Sequence, residues 1–227
     1  MMPLSKLLLD NPVFSHLSET DRNTLAASAI SRKYPKDHWI SHHGDHWPYL
    51  FIVESGSITA MKESSEGRRL ILFTMKPGEV FWGMGFFQTQ MPMQVALIAN
   101  RKSEIHLWSQ ESLTPLLFEH GRVSWELARL MIARMKLASD MVEGLAFQPV
   151  AGRLADLILS HYADASGDYT KRDMSLDEMA ARIGSTREMV CRLLYRFSDE
   201  GAVQIKRTEF MITDRDKLEG FAKNVKG

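Results

Sequence analysis

The chain has 227 residues, 44% of them hydrophobic and 25% charged, an ordinary globular composition with length enough for two domains. Lys+Arg and Asp+Glu both total 28, so net charge marks no nucleic-acid or membrane partner, and no apolar run is long enough to cross a bilayer. The N-terminal apolar patch lacks a small-residue cleavage site. The single cysteine, Cys191, excludes an internal disulfide framework and an iron–sulfur cluster ligated by cysteines of one chain; a reducing cytoplasm is the expected compartment.

The first thirty residues are expected to be helical, with Ser18 capping a helix over 19–29 whose first turn holds Asp21. From about 33 to 108 the texture changes to short β-rich runs at 39–41, 49–53, 57–61, 70–73, 80–82, 95–98 and 105–108. Gly44, Gly56, Gly67, Pro77-Gly78 and Pro92 break them, which predicts an antiparallel double-sheet roll of the jelly-roll kind. Residues 122–147 contain no proline, and Leu127, Met131, Arg134 or Met135, Ala138, Val142 and Leu145 recur at three- and four-residue steps. That is one long amphipathic helix with a coiled-coil-like seam, expected to pack on its own β-domain and to pair with a second copy through 121–147. Pro149 marks a hinge. The expected organisation is α+β, with a β-roll sensor domain over 1–120, a long helix and hinge over 121–148, and a C-terminal domain over 149–227.

Within the last domain, Ser175-Leu176-Asp177-Glu178 and Ser185-Thr186-Arg187-Glu188 both have the form of a capping box. Leu176, Met179, Ala180 and Ile183 form one apolar stripe, and Val190, Leu193, Leu194 and Phe197 a second with the same spacing, separated by Gly184. Two short amphipathic helices about a glycine turn make a helix-turn-helix. The outer face of its second helix carries Arg187, Glu188, Cys191, Arg192 and Tyr195. Arginine can donate two parallel hydrogen bonds to guanine O6 and N7, and glutamate can accept from cytosine N4. Arg187, Glu188 and Arg192 lie where a recognition helix reads base edges. Between Arg182 and Arg207 six basic residues (Arg182, Arg187, Arg192, Arg196, Lys206, Arg207) face three acidic ones (Glu188, Asp199, Glu200). Runs at 203–206 and 210–213 bracket a hairpin wing, with Lys206 and Arg207 set for phosphate contact, and Ser175, Ser185 and Thr186 for backbone contact or helix capping.

Three stretches resemble the CRP/FNR superfamily of homodimeric transcription regulators: residues 184–192, the hinge run 145–155, and Pro77-Gly78-Glu79 with Gly83 and Gly85-Phe86-Phe87. The resemblance implies a cyclic-nucleotide-binding-like roll joined to a winged helix-turn-helix, with Arg187, Glu188 and Arg192 reading the half-sites of palindromic double-stranded DNA. It implies no catalytic residue, and RNA polymerase is an expected further partner.

The departures bear on the effector. Gly83-Met84-Gly85 is shorter than the family's glutamate-bearing ribose segment, no arginine stands in Met91-Pro92-Met93-Gln94-Val95-Ala96 for a cyclic phosphate, and Ala138-Ser139 keeps only the serine of a base-contacting Thr-Ser pair. Burying a phosphate without a cation is costly, which argues against cyclic AMP; the missing cysteine cluster argues against an iron–sulfur sensor. Trp82, Gly83, Met84, Phe86 and Phe87, with Phe81 beside them and Met135 and Ser139 from the long helix, are the candidate pocket. This set is compatible with an apolar ligand, a haem or a packed core. His42, His43 and His46 surround Gly44, but adjacent strand side chains diverge, so solvated turn histidines are expected rather than a metal site. The alternative function is a cupin-like β-roll metalloenzyme with an accessory helical domain. It would require convergent His/Glu ligands on facing strands, a spacing absent from this sequence.

Overall fold

The computed structural model describes residues 3–162, 168–206 and 208–223. It divides into two compact units. One takes in everything up to Lys62 together with Leu72–Lys136, the other Glu63–Ile71 and everything from Leu137 on.

The first unit begins with α1 (Leu4–Asp10) and α2 (Glu19–Ala27), continues as β1 (Ile30–Tyr34), β2 (Trp39–Ser41), β3 (Tyr49–Ser55), β4 (Ile58–Glu63), β5 (Arg69–Met75) and β6 (Val80–Trp82), and makes one turn of helix, α3 (Met84–Phe87). Strands β7 (Ala96–Ala99) and β8 (Ser103–Ser109) follow, then α4 (Gln110–Glu119) and the 27-residue α5 (Gly121–Phe147), which continues into the second unit. Two four-stranded antiparallel sheets form, ordered β1-β8-β3-β6 and β2-β7-β4-β5. The expected double-sheet roll is therefore present. Strands β1 and helices α3 and α4 were not separately legible, because their apolar positions follow neither period cleanly.

The run Leu50-Phe51-Ile52-Val53 shows why β3 lies at the centre. Alternate side chains of a strand point to opposite faces, and here both faces are covered. Leu50 and Ile52 join Leu8, Phe14, Val80, Phe86, Trp108, Val123 and Leu127 in a core beneath the helices. Phe51 and Val53 join Ile58, Phe81, Leu97, Ile105 and Leu107 in a core between the sheets. The indole N–H of the fully buried Trp108 donates to the Leu25 carbonyl at 2.8 Å, closing α2 onto the sheet. Ser18 caps α2 as expected, accepting from the Asp21 N–H at 3.1 Å.

The second unit holds α6 (Val150–His161), β9 (Thr170–Lys171), α7 (Leu176–Ile183), α8 (Arg187–Asp199), the hairpin of β10 (Val203–Ile205) and β11 (Glu209–Ile212), and α9 (Arg215–Lys223). Its three-stranded sheet runs β10-β11-β9. The core gathers Leu154, Ile158, Met179, Ile183, Val190, Leu194, Phe197, Val203, Phe210 and Leu218. Both stripes of the helix pair end there, leaving the charged edges outside. Among the described residues no helix is long and apolar enough to cross a membrane.

Candidate nucleic-acid interface

The turn between α7 and α8 fixes how the second helix is presented. Ser175 caps α7, its hydroxyl accepting from the Glu178 N–H at 3.0 Å. Glu178 does not reach back to complete the box; its carboxylate accepts from Arg182 at 2.9 Å one turn on. Helix α7 closes on Gly184 at φ 61°, ψ 48°, the left-handed conformation that glycine adopts without a Cβ penalty. The second cap falls one residue later than the Ser-x-x-Glu pattern placed it. Thr186, not Ser185, is the cap, accepting from the Met189 N–H at 3.3 Å, while the Ser185 N–H closes the turn on the Ala180 carbonyl at 2.9 Å. Glu188 consequently lies in the first turn of α8, where a carboxylate favours the helix dipole.

Arg153 on α6 sets this turn from behind. Its guanidinium donates to the Ile183 carbonyl at 2.8 Å and to the Gly144 and Gln148 carbonyls at the end of α5 at 3.3 and 2.5 Å. One cation thus ties two helix C-termini together, serving the Ile183 and Gln148 carbonyls and sharing that of Gly144 with the Gln148 N–H, and burial lowers its pKa. The sequence placed Arg153 only within a hinge run, and this positioning role was missed because its three acceptors come from two segments about 35 residues apart in the chain.

Helix α8 separates its two sides cleanly. Val190, Leu193, Leu194 and Phe197 are buried, whereas Arg187, Glu188, Arg192, Tyr195 and Arg196 are exposed. Cys191 is free and half-buried between them. An open groove runs along this side, lined by Leu176, Arg187, Glu188, Cys191, Arg192 and Tyr195 among others. Arg187 is held by Asp177 at the start of α7, Nη1 to Oδ2 at 2.6 Å, with both side chains more than half exposed. Arg192 donates to the Met189 sulfur at 2.9 Å, a weak acceptor. On the wing, Lys206 lies 3.4 Å above the Tyr169 ring and 3.9 Å from Glu209; Arg207 lies outside the described residues.

The candidate pocket residues take different positions. Phe86 is buried in the core beneath the helices, with Trp82 packed against it, and Gly83 is buried where a Cβ would lie 2.7 Å from the Trp47 carbonyl oxygen. Met84, Phe87 and Met135 are 49%, 47% and 70% exposed, and Ser139, in the second unit, is exposed as well. Arg134 of the long helix, by contrast, turns into the roll. Its guanidinium lies 4.4 Å from the Phe73 ring centre and 5.4 Å from those of Phe81 and Trp82, with Nη2 donating to the Val80 carbonyl at 2.6 Å. Along α5, Val123, Leu127 and Arg134 therefore turn toward their own roll, while Trp125, Ile132, Met135 and Val142 present an exposed apolar stripe. The seam drawn from the sequence mixed these two sides. His42 and His43 are exposed, with His42 stacked on Trp39 at 5.2 Å. Among the described residues no group of three or more His, Cys, Asp or Glu side chains could hold a metal ion.

The chain matches a cyclic nucleotide-binding domain over residues 31–120 and a Crp-like helix-turn-helix domain over residues 152–221. It is 26% identical over 202 residues to the cAMP-activated global transcriptional regulator Vfr of Pseudomonas aeruginosa, covering 86% of this chain and 92% of Vfr. Its fold is similar to that of a crp/fnr-family transcriptional regulator from Eubacterium rectale, with TM-score 0.74, 21% identity and 94% and 98% of the two chains covered. It is likewise similar to the c-di-GMP responsive global regulator CLP of Xanthomonas campestris, with TM-score 0.73, 23% identity and 86% and 99% covered. With both domain types present in order and a recognition helix exposed at its polar edge, the chain belongs to the CRP/FNR family of DNA-binding transcription regulators.

Proposed function

We propose that the chain acts in the cytoplasm as a homodimer on a palindromic DNA site, with Arg187, Glu188 and Arg192 reading bases and Lys206 and Arg207 contacting phosphates. The observation that carries this reading is the joint exposure of those three α8 side chains along one open groove, above a buried apolar stripe. The exposed Trp125, Ile132, Met135 and Val142 fall at seven-, three- and seven-residue steps on α5, the spacing of a coiled-coil seam between two copies. The domain scheme is a roll over 1–120 that senses, a helix over 121–148 that pairs, and a module over 149–227 that binds DNA and engages RNA polymerase. The effector is a molecule other than cyclic AMP.

The test is Arg192→Ala. A good arginine–guanine contact discriminates by about 1–3 kcal/mol, so the variant is expected to lose about 10- to 100-fold in preference for the selected palindrome while keeping weak, salt-dependent binding to any duplex. An equal loss on all DNA would contradict base reading by Arg192.

A further inference from the structure

Away from the nucleic-acid interface, one chain of hydrogen bonds crosses three strands of the β1-β8-β3-β6 sheet. The Ser31 hydroxyl on β1 lies 2.9 Å from His106 Nδ1 on β8, and His106 Nε2 lies 2.8 Å from Glu54 Oε2 on β3. Ile105 and Leu107 point between the sheets, so His106 stands on the opposite face, outside the interior of the roll. Ser31 is its direct partner in register. Glu54 falls at the register shift between Val53 and Ser55, an irregularity that re-aims a side chain and recurs beside reactive sites. The His106 and Glu54 side chains are only 8% and 11% exposed, whereas Ser31 is open to solvent.

The order of the three groups fixes the proton. A carboxylate only accepts, so the neutral ring carries its proton on Nε2, and the bare Nδ1 accepts from the Ser31 hydroxyl. A hydroxyl donating to an imidazole that a carboxylate orients is the arrangement that activates serine as a nucleophile. Strand β1 lies at the sheet edge, where successive residues alternate between facing the neighbouring strand and facing out. One of the adjacent Ser31 and Arg32 therefore aims its backbone N–H away from the sheet, a donor for an oxyanion forming beside Ser31. We propose that Ser31 is a modification site, a nucleophilic serine that takes the acyl group of small activated esters. The Oγ–C bond forms as the Ser31 proton passes to His106 Nδ1; the ester C–O bond then breaks, and the proton leaves with the alcohol or phenol. An open edge strand supplies little binding energy, so the donor must be small and carry a good leaving group. Once acylated, Ser31 stands between the covered His106 ring and solvent, which hinders attack by water and lets the acyl-serine accumulate.

The experiment mixes the full chain with p-nitrophenyl acetate, follows p-nitrophenol release, and locates the acetyl group by peptide mapping in a mass spectrometer. A burst of about one equivalent per chain is expected, with Ser31 acetylated about 100-fold faster than the other serines, the scale of help that a positioned general base gives. Ser31→Ala, a change at an exposed position that leaves the fold intact, should abolish the burst. His106→Gln should slow acetylation of Ser31 about 100-fold. Glu54→Gln, whose amide no longer forces the ring proton onto Nε2, should slow it at least about 10-fold. Thermal melts establish that each variant is folded; a merely structural hydrogen-bond chain would move the melts and leave the Ser31 rate unchanged. The proposal is overturned if Ser31 reacts no faster than the other serines, if the acetyl group resides on Lys33 or elsewhere instead, if the burst survives in Ser31→Ala, or if a folded His106→Gln protein reacts at the parent rate. Should His106→Gln and Glu54→Gln both fail to fold, the mapped rate at Ser31 in the parent and the Ser31→Ala burst decide the matter alone.

Discussion

Replacing Gly184 by alanine tests how the α7–α8 turn is built. The residue sits at φ 61°, where a Cβ costs about 1–2 kcal/mol, less the roughly 0.4–1 kcal/mol gained by restricting the unfolded chain. The new Cβ would also lie 2.7 Å from Leu145 Cδ2, about 1 Å inside ordinary carbon–carbon contact. Leu145 is 38% exposed, so its methyl can turn aside, which adds the cost of a rotamer shift, about 0.5–1.5 kcal/mol. The sum centres near 2 kcal/mol, which for a unit of this size lowers Tm by about 8–15 °C. Gly220 in α9 is the control: its backbone is not left-handed and no atom lies within 4 Å of a Cβ there, so alanine should be neutral or stabilising by up to about 1 kcal/mol. Differential scanning calorimetry of both variants decides the matter. A Gly184→Ala transition within about 3 °C of the parent, or one no lower than that of Gly220→Ala, would refute the turn argument.

Asp177→Asn should free Arg187 from its exposed ion pair and raise affinity for the palindrome by up to about fivefold, because such pairs contribute about 0–1 kcal/mol; fluorescence anisotropy reads it, and weaker binding would contradict competition between Asp177 and DNA. Ile132→Lys sets two ammonium groups against each other across the proposed seam and should raise the dimer Kd more than about 100-fold in sedimentation equilibrium; an unchanged dimer would move the interface elsewhere. Burial pushes the Asp173 carboxyl up, but hydrogen bonds from Tyr162 at 2.7 Å and from His161 at 3.0 Å overcome it and hold the pKa below the ordinary 3.8. A depressed carboxylate stabilises the fold above its unfolded pKa and loses that contribution as pH falls through the folded value. Asp173→Asn should therefore be less stable to urea than the parent at about pH 6, with the gap narrowing by about pH 3; a gap independent of pH would exclude the carboxylate charge as its cause.

Local pattern was enough for most of what the chain does. The spacing of Val190, Leu193, Leu194 and Phe197 determines which side of α8 is buried, hence that Arg187, Glu188 and Arg192 share the other. Gly184 marks the turn, and the alternation of short apolar runs with glycine and proline marks the roll, because helix and strand periods are properties of neighbouring residues. Tertiary structure decided what depends on groups distant in sequence. The cap moved from Ser185 to Thr186 as Gly184 closed α7 on Ala180. Arg153 gathered carbonyls from Gly144, Gln148 and Ile183. Arg134, one position from the exposed Met135, went inward to Val80 and the aromatic rings. Adjacent positions on a helix differ by about 100°, so an apolar period without a sharp boundary leaves the inward side undefined until the sheet it packs against is in place.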